Sequence, residues 1–430
     1  MTNSTNQLSG RFLIIWLGQF VSSIGSGLSA FALGVFAFET THSATAYSLI
    51  VLFAFLPSYL LRPFGGTLSD RIDRRLLMMI GDFGSTLGLV FMLLMFISGI
   101  HELWVIYSGV AASSVFVALQ NPAYKASVTD LLDEKDYSKA SGLMQLAESS
   151  RFLISPIIAG FLLHWVKIEQ ILMIDIATFL VAVFAVFAVK KKIKTLDRKT
   201  QNEHFFADFI QGFRYIFARR TLVCLLFITS IVTFSVGFLQ ALIGPMILAF
   251  SNAKTLGILQ TISVSGMLGG SLFIGLFSKT KRQVSVLAIA MLLTGLFYAL
   301  FGTSTNIAFI VSSGFLFFAA LPFVNTSIEV LIRRNVENNL QGRVWSIVSL
   351  ITQLGMLIAF SIAGILADKI FNPLLQNGGL LASTVGKIVG TGQGRGIGLM
   401  FVLSGILIVF VVPFIWKNKN IKALEAEYKN

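Results

Sequence analysis

The chain has 430 residues, 55% of them hydrophobic and only 12% charged. A soluble domain carries about 25% charged residues, so an ordinary soluble protein is excluded. The formal net charge of +13 sits in short loops between apolar runs and does not mark a nucleic-acid binder. The single cysteine, Cys224, lies in an apolar run and excludes an intramolecular disulfide or a cysteine-based metal site.

Apolar runs close to the ~20 residues that cross a bilayer recur from end to end. Arg11 is followed by an apolar stretch too long for a signal-peptide core, which predicts a retained first helix. Run length and turn residues predict twelve membrane helices, near 12–38, 45–68, 76–98, 103–129, 140–164, 168–189, 221–249, 255–278, 284–302, 306–332, 344–368 and 397–416. The largest interruption, 190–220, divides them six and six. The predicted fold is an all-α polytopic membrane protein in two pseudo-symmetric six-helix halves. Residues 1–189 form the N-terminal half, 190–220 a cytoplasmic linker and 221–430 the C-terminal half.

Basic residues set the orientation. With the N-terminus inside, the inner loops carry most of the 33 Lys and Arg residues. The outer side keeps only Lys167, Lys254, Lys369, Lys387 and Arg395, while Arg62 and Arg151 fall within helices. Both termini are therefore expected on the cytoplasmic side. The halves also resemble each other: Asn121 precedes Ala159-Gly160 by the same spacing as Asn325 precedes Ala363-Gly364. Parallel six-helix repeats with a substrate site between them are a known transporter plan. In the linker, 190–204 is polar and basic. Residues 205–220 place Phe206, Phe209, Ile210, Phe213, Ile216 and Phe217 on one face, the pattern of an interfacial amphipathic helix. The Gly-rich outer loop 371–396 suggests no function.

Between the second and third predicted helices runs Gly66-Thr-Leu-Ser-Asp70-Arg71-Ile-Asp73-Arg74-Arg75. Gly65 and Gly66 would let helix 2 approach a neighbour closely. Asp70 could cap backbone N–H groups or pair with Arg74 one turn on.

This segment resembles the loop 2–3 signature of the major facilitator superfamily through Gly66, Leu68, Asp70, Arg71, Arg74 and Arg75, with Asp73 in place of the usual second glycine. Trp16-Leu-Gly18-Gln19, Ile174-Asp175, Phe209-x-Gln-Gly212 and Gly342-Arg343-Val344 are similar to its bacterial macrolide-efflux branch. The resemblance implies a drug exporter of the bacterial cell membrane. It also implies a cytoplasmic latch in which Asp70 faces the region around Gln341–Arg343; the alternative is that these arginines only fix topology. Two departures stand out. Ser113 occupies the place of the helix 4 arginine linked to proton handling. The helix 5 antiporter signature survives only as Ser155-Pro156-x-x-Ala159-Gly160, with Arg151 at its first position.

Ionisable groups inside a span are costly and usually functional. Glu148 and Arg151, three residues apart, can share a helix face and pair, which makes them the first candidates for coupling or a structural pair. Asp175 is the second candidate, either for coupling or for holding a neighbouring helix. Arg62 is expected to snorkel toward headgroups. Asp82 could complete the loop 2–3 network, while Glu39 and Asp368 sit at helix ends and need no role. Lys125 and Glu329 occupy equivalent positions in the two halves and could pair when the inner side closes.

Candidate cavity residues are Gln19, Ser22, Ser26, Gln120, Asn121, Gln145, Gln240, Asn325 and Gln353, and some of the 40 phenylalanines could line a greasy cavity. The four histidines form no metal set, and no phosphate-cradling glycine motif is present, which argues against a membrane-embedded enzyme or an ATP-driven pump.

The expected protein is thus a secondary transporter, acting as a monomer among membrane lipids. It would export lipophilic macrolide-type compounds, driven by proton influx, with no cofactor, metal or nucleic acid. Uptake, or lipid or siderophore transport with other coupling, is the alternative.

Overall fold

The computed structural model describes residues 9–189, 205–277, 282–337 and 340–417. Among them the regular structure is entirely helical. In chain order the helices are α1 (Gly10–Thr41), α2 (Ala44–Arg71), α3 (Arg74–Ile97), α4 (Leu103–Leu131), α5 (Tyr137–Leu153), α6 (Ser155–Leu162), α7 (Ile168–Ala188) and α8 (Phe205–Ala218). They continue as α9 (Arg220–Leu248), α10 (Ala253–Phe277), α11 (Gln283–Thr303), α12 (Ile307–Asn335), α13 (Gln341–Leu366), α14 (Asn372–Leu375), α15 (Gly386–Val389) and α16 (Arg395–Lys417). Eleven helices among the described residues are long and apolar enough to cross a membrane.

The remaining expected span, 140–164, is not one helix. It is α5 and α6, parted at Ile154. Pro156 explains the break: it lacks an N–H and its ring crowds the preceding turn. The apolar count predicts a passage here but cannot see that the passage is broken.

The chain groups into two compact units. Unit 1 comprises Met1–Thr41, Leu49–Lys199 and Ala253–Ile258; unit 2 comprises His42–Ser48, Thr200–Asn252 and Leu259–Asn430. The first turns of α2 and α10 thus group apart from the bodies of their helices.

Unit 1 is built on a glycine seam. A Cβ on Gly81 of α3 would stand 2.5 Å from Gln120 Cβ, one on Gly84 would strike the Phe116 ring, and one on Gly88 would strike the Gly109 carbonyl and Ser113. All these neighbours lie on α4, and at Gly81 and Gly88 the helices meet nearly backbone to backbone. Two reciprocal bonds close the seam: Ser85 Oγ donates to the Ser113 carbonyl (3.2 Å) and Ser113 Oγ to the Ser85 carbonyl (2.6 Å). Small residues and interhelical hydroxyls are what hold helices together where lipid offers no hydrophobic drive. Apolar clusters fill both ends of the unit, one around Phe12, Met78, Tyr124 and Met144, the other around Leu33, Met92, Ile106 and Leu172. Large side chains such as Phe64, Phe184 and Phe187 stay exposed, as lipid-facing positions require.

In unit 2 the packed centre is aromatic. Tyr298 stacks on Phe317, and Phe401 meets both Tyr298 and Phe301. The Tyr298 hydroxyl donates to the Ser235 carbonyl at 2.8 Å, so its polar tip is satisfied in the core. The outer loop that suggested no function carries a buried anchor. Arg395, 2% exposed, donates to the carbonyls of Val389 (2.6 Å), Ser304 (3.0 Å) and Gly302 (2.7 Å). A guanidinium thereby closes the carbonyl end of α11, where a positive charge is favoured.

Candidate functional site

The charged turn between α2 and α3 resolves into separate attachments within unit 1. Asp73 caps α3, accepting from the Arg75 N–H at 2.9 Å. Arg74 reaches α4, pairing with Asp130 at 2.7 Å and donating to the Ala126 carbonyl at 2.9 Å. Arg75 donates to the carbonyls of Val186, at 2.8 Å, and Phe187, closing the end of α7. The turn thus ties three helix ends together. Arg71 is exposed. The side chain of Asp70, and with it the latch expected of that residue, lies outside the described residues. Of the two glycines, Gly65 makes the close approach, since a Cβ there would lie under 3.0 Å from the Ala118 carbonyl oxygen, whereas a Cβ on Gly66 would meet nothing within 4 Å.

Asp82 does not join this turn. It follows Arg74 by two helical turns, about 12 Å along α3, and is 2% exposed. Gln19 of α1 donates its amide to Asp82 Oδ2 at 2.8 Å, and Gln120 of α4 donates to Gln19 Oε1 at 2.7 Å. Gly81 makes room for Gln120 to approach. The two expected cavity glutamines are therefore interior partners of a carboxylate.

The expected Glu148–Arg151 pair is replaced. Glu148 reaches across to Lys125 of α4 at 3.1 Å. Sharing a helix face at three-residue spacing was the weaker attraction, because Lys125 comes from a neighbouring helix. Glu329 pairs with Arg333 on its own helix at 2.5 Å, so in this structure Lys125 and Glu329 each pair within their own unit. Arg62 is exposed and lies over the Tyr59 ring, 5.1 Å from its centroid.

Arg151 is partly buried, and among the described residues it has no ion-pair partner within 4.0 Å. The charged and titratable groups that act on it are Asp175 of α7 and Tyr59 of α2. Asp175, 1% exposed, is thinly satisfied: Ser26 Oγ and Thr178 Oγ1 each donate to its Oδ1 at 3.5 Å, the outer limit of a hydrogen bond. Gly25 belongs to the same site, since a Cβ there would come within 2.9 Å of Asp175 Oδ1. Ser155 beside the Ile154 break donates to the Ile24 carbonyl at 2.9 Å, fixing α6 against α1. Asp175, Ser26 and Gly25 thus meet where α1 faces α7, with Arg151 of α5 close enough to act on Asp175 electrostatically.

The other expected cavity residues are scattered. Ser22 is buried, Asn121 and Gln240 are partly buried, and Gln145 and Asn325 are exposed. Gln353 donates to Ser349 Oγ at 2.7 Å on its own helix.

In unit 2, two of the short stretches singled out in the sequence touch each other. Arg343 of α13 donates to Gln211 Oε1 of α8 at 2.5 Å, and Gly212 packs on Ile347 and the Arg343 backbone. The amphipathic helix is therefore bolted to the start of α13. Its Ile210, Phe213 and Phe217 are exposed while Ile216 is buried; the side chains of Phe206 and Phe209 lie outside the described residues.

Asp368 is the residue that sequence reasoning passed over. It accepts from the Ala44 N–H (3.0 Å), the Thr45 N–H (2.8 Å), Thr45 Oγ1 (2.8 Å) and Ser43 Oγ (2.7 Å), all in unit 2. A carboxylate at a helix N-terminus satisfies donors that have no intrahelical partner. Asp368 is the second residue of a short π-helical stretch, Ala367–Phe371, a departure often found at functional positions. The available signal was Ser43-Ala44-Thr45, a helix-capping run; in the structure it follows His42, which is left-handed with φ 51°.

Comparison with known proteins agrees with this architecture. The "Macrolide efflux protein A" of Streptococcus pyogenes is 25% identical over 376 residues, covering 84% of this chain and 90% of that protein. The "Multidrug resistance protein 2" of Bacillus subtilis (strain 168) is 25% identical over 396 residues, covering 88% and 94%. Among solved structures, the nucleoside transporter NupG superposes with a TM-score of 0.72 at 13% identity, covering 95% of this chain and all of that one, a likeness of fold. The family description "Major Facilitator Superfamily" matches residues 15–360. A helical membrane chain with this charged turn and this family match belongs to the major facilitator superfamily.

Proposed function

We propose that the protein is a secondary active transporter that exports lipophilic, macrolide-type compounds in exchange for protons, by alternating access. The observation that carries the coupling is the Asp175 site. A carboxylate inside the span, held by long hydroxyl contacts from Ser26 and Thr178 and within electrostatic reach of an arginine that has no ion-pair partner within 4.0 Å among the described residues, is suited to change its protonation state. Ionised, it draws on the Arg151 charge; protonated, it releases that charge. Either change alters what holds α7 against α1 and α5. The efflux names of the relatives support the outward direction. The asymmetry of basic residues supports cytoplasmic termini, and the chain is taken to act as a monomer in the bacterial cell membrane.

The test uses everted membrane vesicles loaded from outside with radiolabelled erythromycin. Accumulation is expected with an inward-acid gradient and to collapse when a protonophore is added. Asp175→Asn should abolish gradient-driven accumulation while gradient-independent exchange persists. Accumulation that ignores the protonophore would overturn the coupling. Failure to accumulate erythromycin or any related lipophilic drug would overturn the substrate class.

A further inference from the structure

Asp82 is a second buried carboxylate that the reading above leaves unused, and its surroundings differ from those of Asp175. It lies about 12 Å from the start of α3, well inside a hydrocarbon layer about 30 Å thick. Among the described residues no Arg, Lys or His nitrogen is within 4.0 Å of it. The groups that face it are neutral: Gln19 from α1 and Gln120 from α4. The charged groups on the helices around it make their pairings elsewhere: Arg74 with Asp130, Arg75 with the α7 carbonyls, Lys125 with Glu148, and Asp175 beside Arg151. At Ser113, one face of α4 further along, the seam holds a hydroxyl clasp and no cation.

The hydrogen bonds also have a direction. Gln120 donates to Gln19, and Gln19 donates to Asp82, so the amide chain ends on the carboxyl group. This leaves Asp82 as the terminal acceptor. An ionised carboxylate buried without a cation is among the most costly arrangements in a protein interior. A proton on the free oxygen removes that charge and leaves the Gln19 bond in place. The site therefore accommodates both states without rearranging its polar partners, and Gly81 keeps Gln120 close enough to hold the chain together.

We infer that Asp82, held by Gln19 and Gln120, is a second proton-carrying group of the transport cycle, so that each cycle moves two protons, one on Asp82 and one on Asp175. The step is simple in its balance. One O–H bond forms when a proton arrives from water on one side, and the same bond breaks when the proton leaves to water on the other. No other bond changes. The inference rests on the proton-coupled reading above, and its test is arranged to separate the two.

The first measurement needs no substrate. Infrared difference spectra of the full-length chain in lipid nanodiscs, recorded across a pH titration, report the C=O stretch of protonated carboxyl groups. Two titrating bands are expected in the native chain. Asp82→Asn should remove one and Asp175→Asn the other. Gln19→Leu, which cuts the amide chain and spares the carboxyl, should shift the Asp82 band without removing it. An unchanged spectrum in Asp82→Asn would overturn the inference. The second measurement is the steady-state erythromycin accumulation ratio in proteoliposomes as a function of the pH difference. Its logarithmic slope should fall from two towards one in Asp82→Asn. A slope of two retained in that variant would also overturn the inference. Where erythromycin does not accumulate at all, the proposed substrate fails, and the infrared bands still decide for or against Asp82.

Discussion

Gly65 and Gly66 stand side by side in the charged-turn motif, yet the structure assigns them opposite sensitivities. At Gly65 a Cβ would come within 3.0 Å of the Ala118 carbonyl oxygen and reach 3.0 Å from its carbon and 3.3 Å from Leu119 Cα, where ordinary contact begins at 3.4 Å. The obstacle is the α4 backbone, which cannot rotate away as a side chain would. Overpacking of this kind costs about 1–3 kcal/mol, and it opens the α2–α4 approach that also holds the Ser58 N–H to Ser114 Oγ at 3.2 Å. At Gly66 a Cβ would meet nothing within 4 Å. Alanine there gains the usual helix preference over glycine, about 0.8–1 kcal/mol. Gly65→Ala should therefore lower, and Gly66→Ala slightly raise, the midpoint of heat-induced loss of the monodisperse peak in detergent gel filtration. Midpoints that move in the same direction, or a Gly66→Ala variant that unfolds first, would refute the packing argument. A Gly66→Ala variant that is stable but transports poorly would instead show that this glycine serves a motion and not the fold.

Three further expectations follow from contacts described above. Reversing charge at Lys125 or at Glu148 should cost less than about 1 kcal/mol, because the pair is half exposed. Any defect in transport should be restored by Lys125→Glu with Glu148→Lys; failure of that combination to rescue would count against the pair, whereas rescue by Lys125→Glu with Glu329→Lys would point to a second pairing in the inner-closed state. Arg395→Lys should be almost as damaging as Arg395→Ala, on the order of 3 kcal/mol, since an ammonium lacks the fork that spans three carbonyls; denaturant titration of the two variants checks this, and full rescue by lysine would count against it. Asp368→Ala should speed amide hydrogen exchange at Ala44 and Thr45, and Asp368→Asn should do so less, because asparagine keeps one acceptor oxygen. Equal exchange in all three proteins would mean that the carboxylate does not hold this helix end.

Most of the architecture was legible because apolar run length and the placement of basic residues survive without tertiary information. The fifth passage illustrates the limit. Its hydrophobicity announced a span, and Pro156 was visible, but the parting at Ile154 depends on how the chain resumes beyond the proline. The site was legible as a set of residues and not as a set of partners. Gln19, Gln120 and Asp82 were all singled out, yet joining them requires the facing angles of α1, α3 and α4, which no single-helix pattern contains. The same holds for Gln211 and Arg343, noted as separate stretches and found in contact. Glu148 was assigned to the nearest charge along the helix, while its partner came from another helix altogether. Asp368 was missed for a different reason. A carboxylate at a helix end looks ordinary until the donors that it satisfies, more than 320 positions away in sequence, are known.

The seam between α3 and α4 has a mechanical consequence. Two glycines pressed on opposing backbone, a third on the Phe116 ring, and a double serine clasp make the two helices a laminate. Sliding one ply by a single residue, about 1.5 Å, would drive side chains into spaces that hold only a hydrogen atom. Such a slab resists shear and moves as one piece. Bending in this unit must then concentrate where the helical ladder is interrupted, and the α5–α6 junction, where Pro156 supplies no N–H, is such a place, close to Arg151. The stiffest joint in the unit thus indicates where to look for its hinge.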